Sequence, residues 1–324
     1  MNLTRLGPFD GVSRLTLGGG GLGRIWGETS IDEAVATVHA AVAGGITLID
    51  TAPMYRDCEQ VVGEAFAGAL PPGVRITTKH QLGTPPIGDV ADRLEASLEN
   101  SLNVMRLQRA DIFILHSNIA PDGYVYLRHA ERQESFATSW SVYVEAVVPA
   151  MQSLKASDRI GAWGITGVGV PDSILAALAH SPAPDVVQAV ANLLDSPGGM
   201  RSYVEPPRPR EIIAAAKSRG VGVMGIRAVQ AGALTAAIDR QISPNHPERT
   251  DYDRAAPFRE LCARLGADPA VMAHRYALSM AGVDTVILGV KNRAELAACL
   301  EAEAEGPLPA EMMRDIDGLG LRAT

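Results

Sequence analysis

Short apolar runs alternate with helix-like segments along almost the whole chain. Each run is brief and mostly apolar, as strands covered on both faces are. The eight runs are Leu15–Leu17, Ile46–Ile49, Val74–Thr77, Asp111–Leu115, Ile160–Ile165, Val186–Val190, Val221–Ile226 and Thr285–Leu288. Eight strand–helix units in one chain favour a closed parallel barrel over an open sheet. We therefore predict an α/β protein with the (β/α)8 TIM-barrel fold.

The segments between the runs carry helix signals. Ser30–Gly44 begins with a Ser-x-x-Glu capping box and ends at a Gly pair. The other predicted helices are Glu59–Ala69, Asp89–Leu102, Val142–Ser157, Pro171–Ala179, Arg210–Arg219, Ala256–Leu265, Asp268–Met280, Arg293–Glu301 and Ala310–Leu319. These include extra helices in the C-terminal part. Leu3–Leu6 and Val12–Leu15 resemble an N-terminal β-hairpin, and no linker divides the chain, so residues 1–324 are predicted to form a single domain.

Charge and composition exclude several classes of function. The net charge is −8 and the basic residues are scattered, which argues against a nucleic-acid or acidic-membrane surface. The three cysteines form no pair with metal or redox spacing, and no apolar run approaches the ~20 residues that span a bilayer. We predict a cytoplasmic protein without a metal site; the sequence carries no signal for an oligomeric state.

The glycine run Gly18–Gly23 matches the G-x-G-x-x-G pattern after a predicted strand. In a Rossmann fold a helix would begin within that pattern. Here Arg24–Thr29 intervenes before the capping box, which argues against that fold. The run is better interpreted as a glycine-rich barrel loop that lets the backbone approach a ligand.

Four polar residues lie at or just after the carboxyl ends of predicted strands: Asp50, Tyr55, Lys79 and His116. In a parallel barrel these ends share one rim, so the four side chains should converge. Lys79, held by Asp50, would place a cation beside Tyr55 and lower its pKa from the usual value of about 10. The phenol could then exchange a proton with a substrate oxygen, to which His116 offers a second hydrogen bond.

A long stretch without a helix or strand pattern, residues 117–139, comes directly after the fourth barrel strand. It is polar and contains several aromatic residues. A loop of this length in a compact domain is usually functional or mobile. At the carboxyl end of a barrel it would form a wall of the substrate pocket.

The sequence resembles the aldo-keto reductase family over nearly the whole chain. The matching motifs are Ile49-Asp50-Thr51-Ala52-x-x-Tyr55, Val62-Gly63-Glu64-Ala65, Thr77-Thr78-Lys79, Asp111–His116, Gly164-Ile165-Thr166, Asp185–Gln188 and Val221–Met224. The resemblance implies that Asp50, Tyr55, Lys79 and His116 form a catalytic tetrad for carbonyl reduction with a nicotinamide cofactor. Tyr55 would act as the general acid.

The resemblance also implies contacts to cofactor and substrate. The expected cofactor-binding residues are Gly20, Gly21, Asp50, Thr166, Gln188, Ile226, Arg227, Ala228, Gly289, Lys291, Asn292 and Glu295. Gln188 matches a residue that holds the nicotinamide carboxamide, and Arg227 is expected to contact the pyrophosphate. The expected substrate-binding residues are Trp26, Tyr55, His80, His116 and Asn118.

The choice between the two nicotinamide cofactors stays open in the sequence. Lys291 and Asn292 suit a 2′-phosphate, which tilts the expectation slightly toward NADP(H). Glu295 stands where the family often has Arg or Gln. A carboxylate there would repel a 2′-phosphate and could accept a hydrogen bond from a bare 2′-hydroxyl, as in NAD(H).

Three functions are compatible with these features. The first is an NAD(P)-dependent oxidoreductase that interconverts a small-molecule aldehyde or ketone and its alcohol. The glycine run also resembles branches of the family that oxidise sugars or pyridoxal with NAD, which keeps the dehydrogenase direction open. The second is a dinucleotide-binding regulatory or sensor subunit of the same fold. The third is a different barrel enzyme, such as a lyase or isomerase, that resembles the family only at the level of its strands.

Overall fold

Eight parallel strands close into a barrel in the computed structural model, which describes residues 1–322. The strands β1–β12 span Leu3–Leu6, Phe9–Ser13, Leu15–Gly18, Leu48–Asp50, Arg75–His80, Ala110–Leu115, Asn118–Ala120, Ala137–Ser139, Ile160–Thr166, Val186–Val190, Gly222–Ile226 and Thr285–Leu288. Around the barrel the order is β3, β4, β5, β6, β9, β10, β11 and β12, which pairs back with β3. The predicted (β/α)8 TIM barrel is confirmed.

Helices surround the barrel. Helices α1–α14 span Gly19–Leu22, Ile31–Ala43, Cys58–Phe66, Val90–Met105, Gln133–Phe136, Trp140–Val142, Val148–Ala156, Pro171–Ala179, Pro209–Ser218, Pro247–Arg254, Ala256–Leu265, Pro269–Ser279, Arg293–Ala304 and Ala310–Asp317. A π-helical segment, Tyr143–Val147, joins α6 to α7. At the start of α2 the Ser30 hydroxyl accepts a hydrogen bond from the Glu33 backbone N–H at 3.1 Å, which is one half of the predicted capping box. The Glu33 carboxylate accepts from Arg293 instead.

The barrel strands are apolar on both faces because two cores meet there. Along β6, Ile112 and Ile114 belong to the barrel interior, whereas Phe113 and Leu115 pack against the surrounding helices. The hairpin β1–β2 adds Leu6 to the interior cluster, and its chain crosses close to Gly222 at the start of β11. The hairpin therefore covers the amino end of the barrel and leaves the carboxyl end for a site.

Two segments differ from the sequence prediction. Residues 117–139 are not wholly irregular, since β7 and β8 pair in parallel and Gln133–Phe136 is helical. Tyr126 stacks edge-on with Tyr124 and Phe136 at ring-centroid distances of 5.0 Å. The glycine run does not form an open loop, because α1 is a helical turn within it. Strands of three residues and single helical turns carry too short a period to be recognised in a sequence.

Gly21 provides a test of the packing between the glycine run and the last strand. A Cβ at Gly21 would lie 1.9 Å from the backbone oxygen of Val290, which has no freedom to move aside. We expect Gly21→Ala to lower the free energy of unfolding by about 1–3 kcal/mol, the usual cost of overpacking, measured by urea denaturation. The control is Gly88→Ala, where a Cβ meets nothing within 4 Å; an equal loss in both variants would contradict the contact.

Candidate active site

A cavity of about 740 Å³ opens at the carboxyl ends of the barrel strands. This volume lies within the range of ligand-binding sites. The predicted site residues that line it are Gly20, Trp26, Asp50, Tyr55, His116, Thr166, Gln188, Ile226, Arg227, Ala228, Gly289, Lys291 and Glu295. Residues from strands far apart in sequence thus share one wall, as the barrel topology requires.

Asp50 and Lys79 form a buried ion pair at the cavity, where Asp50 reaches the wall and Lys79 lies beneath it. Lys79 Nζ donates to Asp50 Oδ2 at 2.6 Å and to the Thr51 backbone oxygen at 2.9 Å. The other carboxylate oxygen, Asp50 Oδ1, accepts from the Thr77 hydroxyl at 2.6 Å. Burial alone would lower the pKa of Lys79, but the Asp50 carboxylate outweighs it and raises the pKa. Lys79 is therefore a charged ammonium at neutral pH.

The Lys79 ammonium also donates a third hydrogen bond, to Tyr55. The distance from Lys79 Nζ to the Tyr55 hydroxyl is 3.4 Å. Burial raises the pKa of the phenol, and the Lys79 ammonium opposes that rise without cancelling it. The net direction is opposite to the lowering that we predicted from the sequence, because the sequence does not reveal how completely the phenol is buried. Tyr55 is consequently protonated at neutral pH.

His116 lies beside Tyr55 at the end of β6. The two rings meet edge-on, with centroids 5.8 Å apart. Burial, followed by the charges of Lys79 and His80, lowers the pKa of His116 to about 3. The imidazole is neutral at physiological pH and offers one N–H and one lone pair. Tyr55 and His116 can therefore both donate a hydrogen bond to one oxygen atom in the cavity.

A second carboxyl group, Glu59, lies behind the ion pair and was not recognised in the sequence as part of the site. Its Oε1 accepts a hydrogen bond from the Thr78 hydroxyl at 2.6 Å. Burial raises the pKa of Glu59, and the hydrogen bond from Thr78 opposes the rise. Glu59 begins the second helix that we predicted, where a glutamate is ordinary, and the sequence carries no signal of its burial.

Gln188 and Arg227 are already engaged by other side chains. Gln188 Nε2 donates to Asp50 Oδ1 at 2.7 Å, so this amide helps to fix the carboxylate. Arg227, with a left-handed φ of 61°, donates to Glu248 at 2.6 Å and to Gln230 at 2.8 Å. Arg227 lines the cavity, yet its charge is balanced within the protein. The sequence did not reveal that Arg227 pairs with Glu248, because Glu248 lies in a helix that we did not predict.

The loop between β12 and α13 forms another part of the cavity wall. Lys291 Nζ donates to Asp239 Oδ2 at 2.8 Å and to Glu295 Oε1 at 2.5 Å. Burial alone would lower the pKa of Lys291, but these two carboxylates raise it. The Asn292 side chain caps α13 by accepting from the Glu295 backbone N–H at 2.9 Å. Asp239 belongs to residues 231–240, an Ala-rich segment without periodicity. The sequence did not predict that this segment lies on the cavity wall.

Five predicted residues lie off the cavity wall. Lys79 lies beneath it, and Asn292 faces its own helix. The space beside Gly21 is filled by Val290. His80 contributes its backbone oxygen to the His116 N–H at 2.8 Å, and Asn118 pairs with Ala137 in the β7–β8 ladder. Among the described residues no member of 117–139 lines the cavity, so the expectation that this segment walls the pocket is not met.

The cavity wall carries both the polar group of Asp50, Tyr55 and His116 and residues from the first turn of α13, such as Glu295. A nicotinamide dinucleotide, which joins a reactive ring to an adenosine through a pyrophosphate, fits the residues present. Within residues 1–322 no cluster of metal-ligating side chains occurs, and no helix of that part is long and apolar enough to cross a membrane.

Comparison with known proteins gives consistent matches over the whole chain. The sequence profile of the Aldo/keto reductase family matches residues 14–320. L-galactose dehydrogenase of Arabidopsis thaliana is 25% identical over 316 residues, which cover 95% of this chain and 90% of that protein. An aldo-keto reductase structure from Bacillus halodurans superposes with a TM-score of 0.72 at 21% identity, covering 98% of this chain and 96% of that one. A glycerol dehydrogenase structure from Gluconobacter oxydans gives a TM-score of 0.69 at 20% identity, with 98% and 94% covered.

Proposed function

The chain belongs to the aldo/keto reductase family, and we propose that it is an NAD(P)-dependent oxidoreductase that interconverts an aldehyde or ketone and its alcohol. The observation that carries the proposal is the contact of the buried Lys79–Asp50 pair with Tyr55 on the wall of a cavity of dinucleotide size. His116 next to Tyr55 supplies a second donor to the same space. When bound, the nicotinamide ring supplies or accepts the hydride.

The four side chains have separate roles in this proposal. Tyr55 donates its phenolic proton to the carbonyl oxygen during reduction and takes it back during oxidation. Lys79 stabilises the phenolate that forms, because its ammonium stands 3.4 Å from the hydroxyl oxygen. Asp50 keeps Lys79 charged and oriented. The neutral His116 holds the substrate oxygen by a hydrogen bond, which orients the carbonyl and stabilises developing negative charge.

The substrate is proposed to be a small carbonyl compound or alcohol, with sugars and polyols as the first class to examine. Support comes from the relative named L-galactose dehydrogenase, which matches over nearly its full length. Trp26 lines the cavity, with its indole nitrogen close to Gly20, and is proposed to contact the substrate. In the described part of the chain no observation favours a binding-only subunit, and family membership argues against a lyase or isomerase.

The pH dependence of carbonyl reduction follows from the pKa shifts of the two donors. Reduction needs protonated Tyr55, whose pKa is raised, so activity should be lost only as pH rises above about 10. His116 is neutral down to a pKa of about 3, so we expect no inflection near its usual value of about 6.5. The measurement is kcat/KM for an aldehyde from about pH 5 to about pH 11, a range that spans both usual pKa values. An inflection near pH 6.5 that disappears in His116→Gln would contradict the buried neutral imidazole.

The proposal is tested by two measurements on the purified protein. Titration with NADH and NADPH, followed by fluorescence, measures nucleotide binding. A panel of aldehydes, sugars and polyols then tests turnover by absorbance of the reduced nicotinamide. Binding together with Tyr55-dependent turnover supports the proposal, binding without turnover on the whole panel would favour the sensor subunit, and binding of neither nucleotide would refute it.

A further inference from the structure

The adenosine end of the proposed cofactor site carries an excess of carboxylates. From the geometry around Lys291 we infer that the protein binds NAD(H) in preference to NADP(H), with Glu295 as the main discriminating residue and Asp239 as the second. The inference rests on the proposed function, since it concerns the nucleotide that this function requires. It reverses the slight tilt toward NADP(H) that Lys291 suggests when the sequence is considered alone.

Lys291 is not free to receive a phosphate. Its ammonium lies between Asp239 Oδ2 at 2.8 Å and Glu295 Oε1 at 2.5 Å. The three groups together carry one positive and two negative charges. A 2′-phosphate would have to displace both carboxylates from Lys291 or approach a cluster that is negative overall. Either route costs free energy that a 2′-hydroxyl does not have to overcome.

Glu295 is held in place from several directions. Its Oε2 accepts the Lys291 backbone N–H at 3.0 Å, and its own N–H donates to the Asn292 side chain at 2.9 Å. It stands in the first turn of α13, where the exposed N–H groups of a helix favour an anion. The protein thus places its own carboxylate where a phosphate would otherwise be stabilised. A nearby 2′-hydroxyl could donate a hydrogen bond to that carboxylate.

Of the two neighbouring arginines, Arg293 is paired with a carboxylate of its own, whereas Arg240 is held by an aromatic ring and a backbone oxygen. Arg293, the first residue of α13, is turned toward α2, where its backbone N–H, Nε and Nη2 bond to the Glu33 carboxylate at 2.9–3.2 Å. Arg240 lies over the Trp26 ring at 5.6 Å and donates to the Ala231 backbone oxygen. A third carboxylate on the cavity wall, that of Asp268, caps α12.

The first test compares nucleotide binding by the unmodified protein. NADH and NADPH are titrated by fluorescence at low and high salt, which requires no substrate and no turnover. We expect NADH to bind at least about tenfold more tightly at low salt, with a smaller ratio at high salt because ions screen the repulsion of the phosphate. Equal binding, or tighter binding of NADPH, would overturn the inference while leaving the oxidoreductase proposal intact. Binding of neither nucleotide would overturn both.

The second test assigns the discrimination to Glu295. Glu295→Gln removes one negative charge at nearly constant shape and should lower the NADPH-to-NADH ratio of Kd values by about tenfold. Adding Asp239→Asn should lower it further. The matched control is Glu301→Gln, an exposed glutamate on the same helix, which should keep the ratio of the unmodified protein. With circular dichroism showing that each variant is folded, an unchanged ratio in the single and double variants would refute the assignment.

Discussion

Replacing Tyr55 by phenylalanine is expected to lower kcat for carbonyl reduction by about 10²–10⁴-fold, the usual contribution of a general acid. The phenol is the hydroxyl that Lys79 contacts, at 3.4 Å, on the cavity wall. Phenylalanine keeps the ring and its edge-on contact with His116 but removes the proton that the substrate oxygen must receive. The Kd for nicotinamide nucleotide should stay nearly unchanged, since the ring still fills its place.

A matched control separates this effect from a general loss of structure. Tyr126 is also a buried tyrosine, and its hydroxyl has no hydrogen-bond partner among the residues that the structure describes. Tyr126→Phe should therefore leave kcat and nucleotide binding close to those of the unmodified protein. If Tyr55→Phe kept more than about a tenth of the activity, another group would have to supply the proton.

The second large effect concerns the buried ion pair. Lys79→Met is expected to abolish turnover and to lower the free energy of unfolding by about 3–5 kcal/mol, the usual cost of leaving one partner of a buried pair without its counter-charge. Lys79 is fully buried and the Asp50 side chain is 3% exposed, so water cannot replace the lost ammonium. Urea denaturation measures the stability, and absorbance of the reduced nicotinamide measures the activity.

A double variant distinguishes the structural role of the pair from its role in the reaction. Lys79→Met with Asp50→Asn removes both charges, and the new amide oxygen can still accept from Thr77 and Gln188. We expect this double variant to recover a substantial part of the lost stability and none of the activity. Equal stability of the single and double variants would show that Asp50 carries no uncompensated charge when Lys79 is absent.

The sequence predicted the barrel, and it predicted the placement of Asp50, Tyr55, Lys79 and His116 near its carboxyl rim, because both depend on local patterns. Apolar runs such as Asp111–Leu115 mark the strands, and a polar residue at the end of such a run, as His116 is, falls at the carboxyl rim. The contacts of Asp50, Lys79 and Tyr55 agree with this placement.

The partners of the charged groups and the burial of the titratable ones depend on long-range packing that no local pattern encodes. Lys291 stands 52 positions from Asp239, the residue that balances its charge, and Asp239 lies in a segment without periodicity. Glu59 has the spacing of an ordinary helix residue, and only the folded barrel reveals its burial. The pKa of Tyr55 likewise depends on how deeply the phenol is buried. Burial raises this pKa by more than the neighbouring Lys79 ammonium lowers it.

The most direct test of the proposed function is the transfer of deuterium to the substrate from a reduced nicotinamide nucleotide that carries deuterium at both C4 positions. The protein is incubated with this reduced nucleotide and a carbonyl compound that the panel has shown to turn over, and the alcohol is analysed by mass spectrometry and NMR. The oxidoreductase proposal predicts deuterium on the carbinol carbon in the unmodified protein and about 10²–10⁴-fold less labelled alcohol in the same time with Tyr55→Phe. An alcohol that carries no deuterium at that carbon would contradict it.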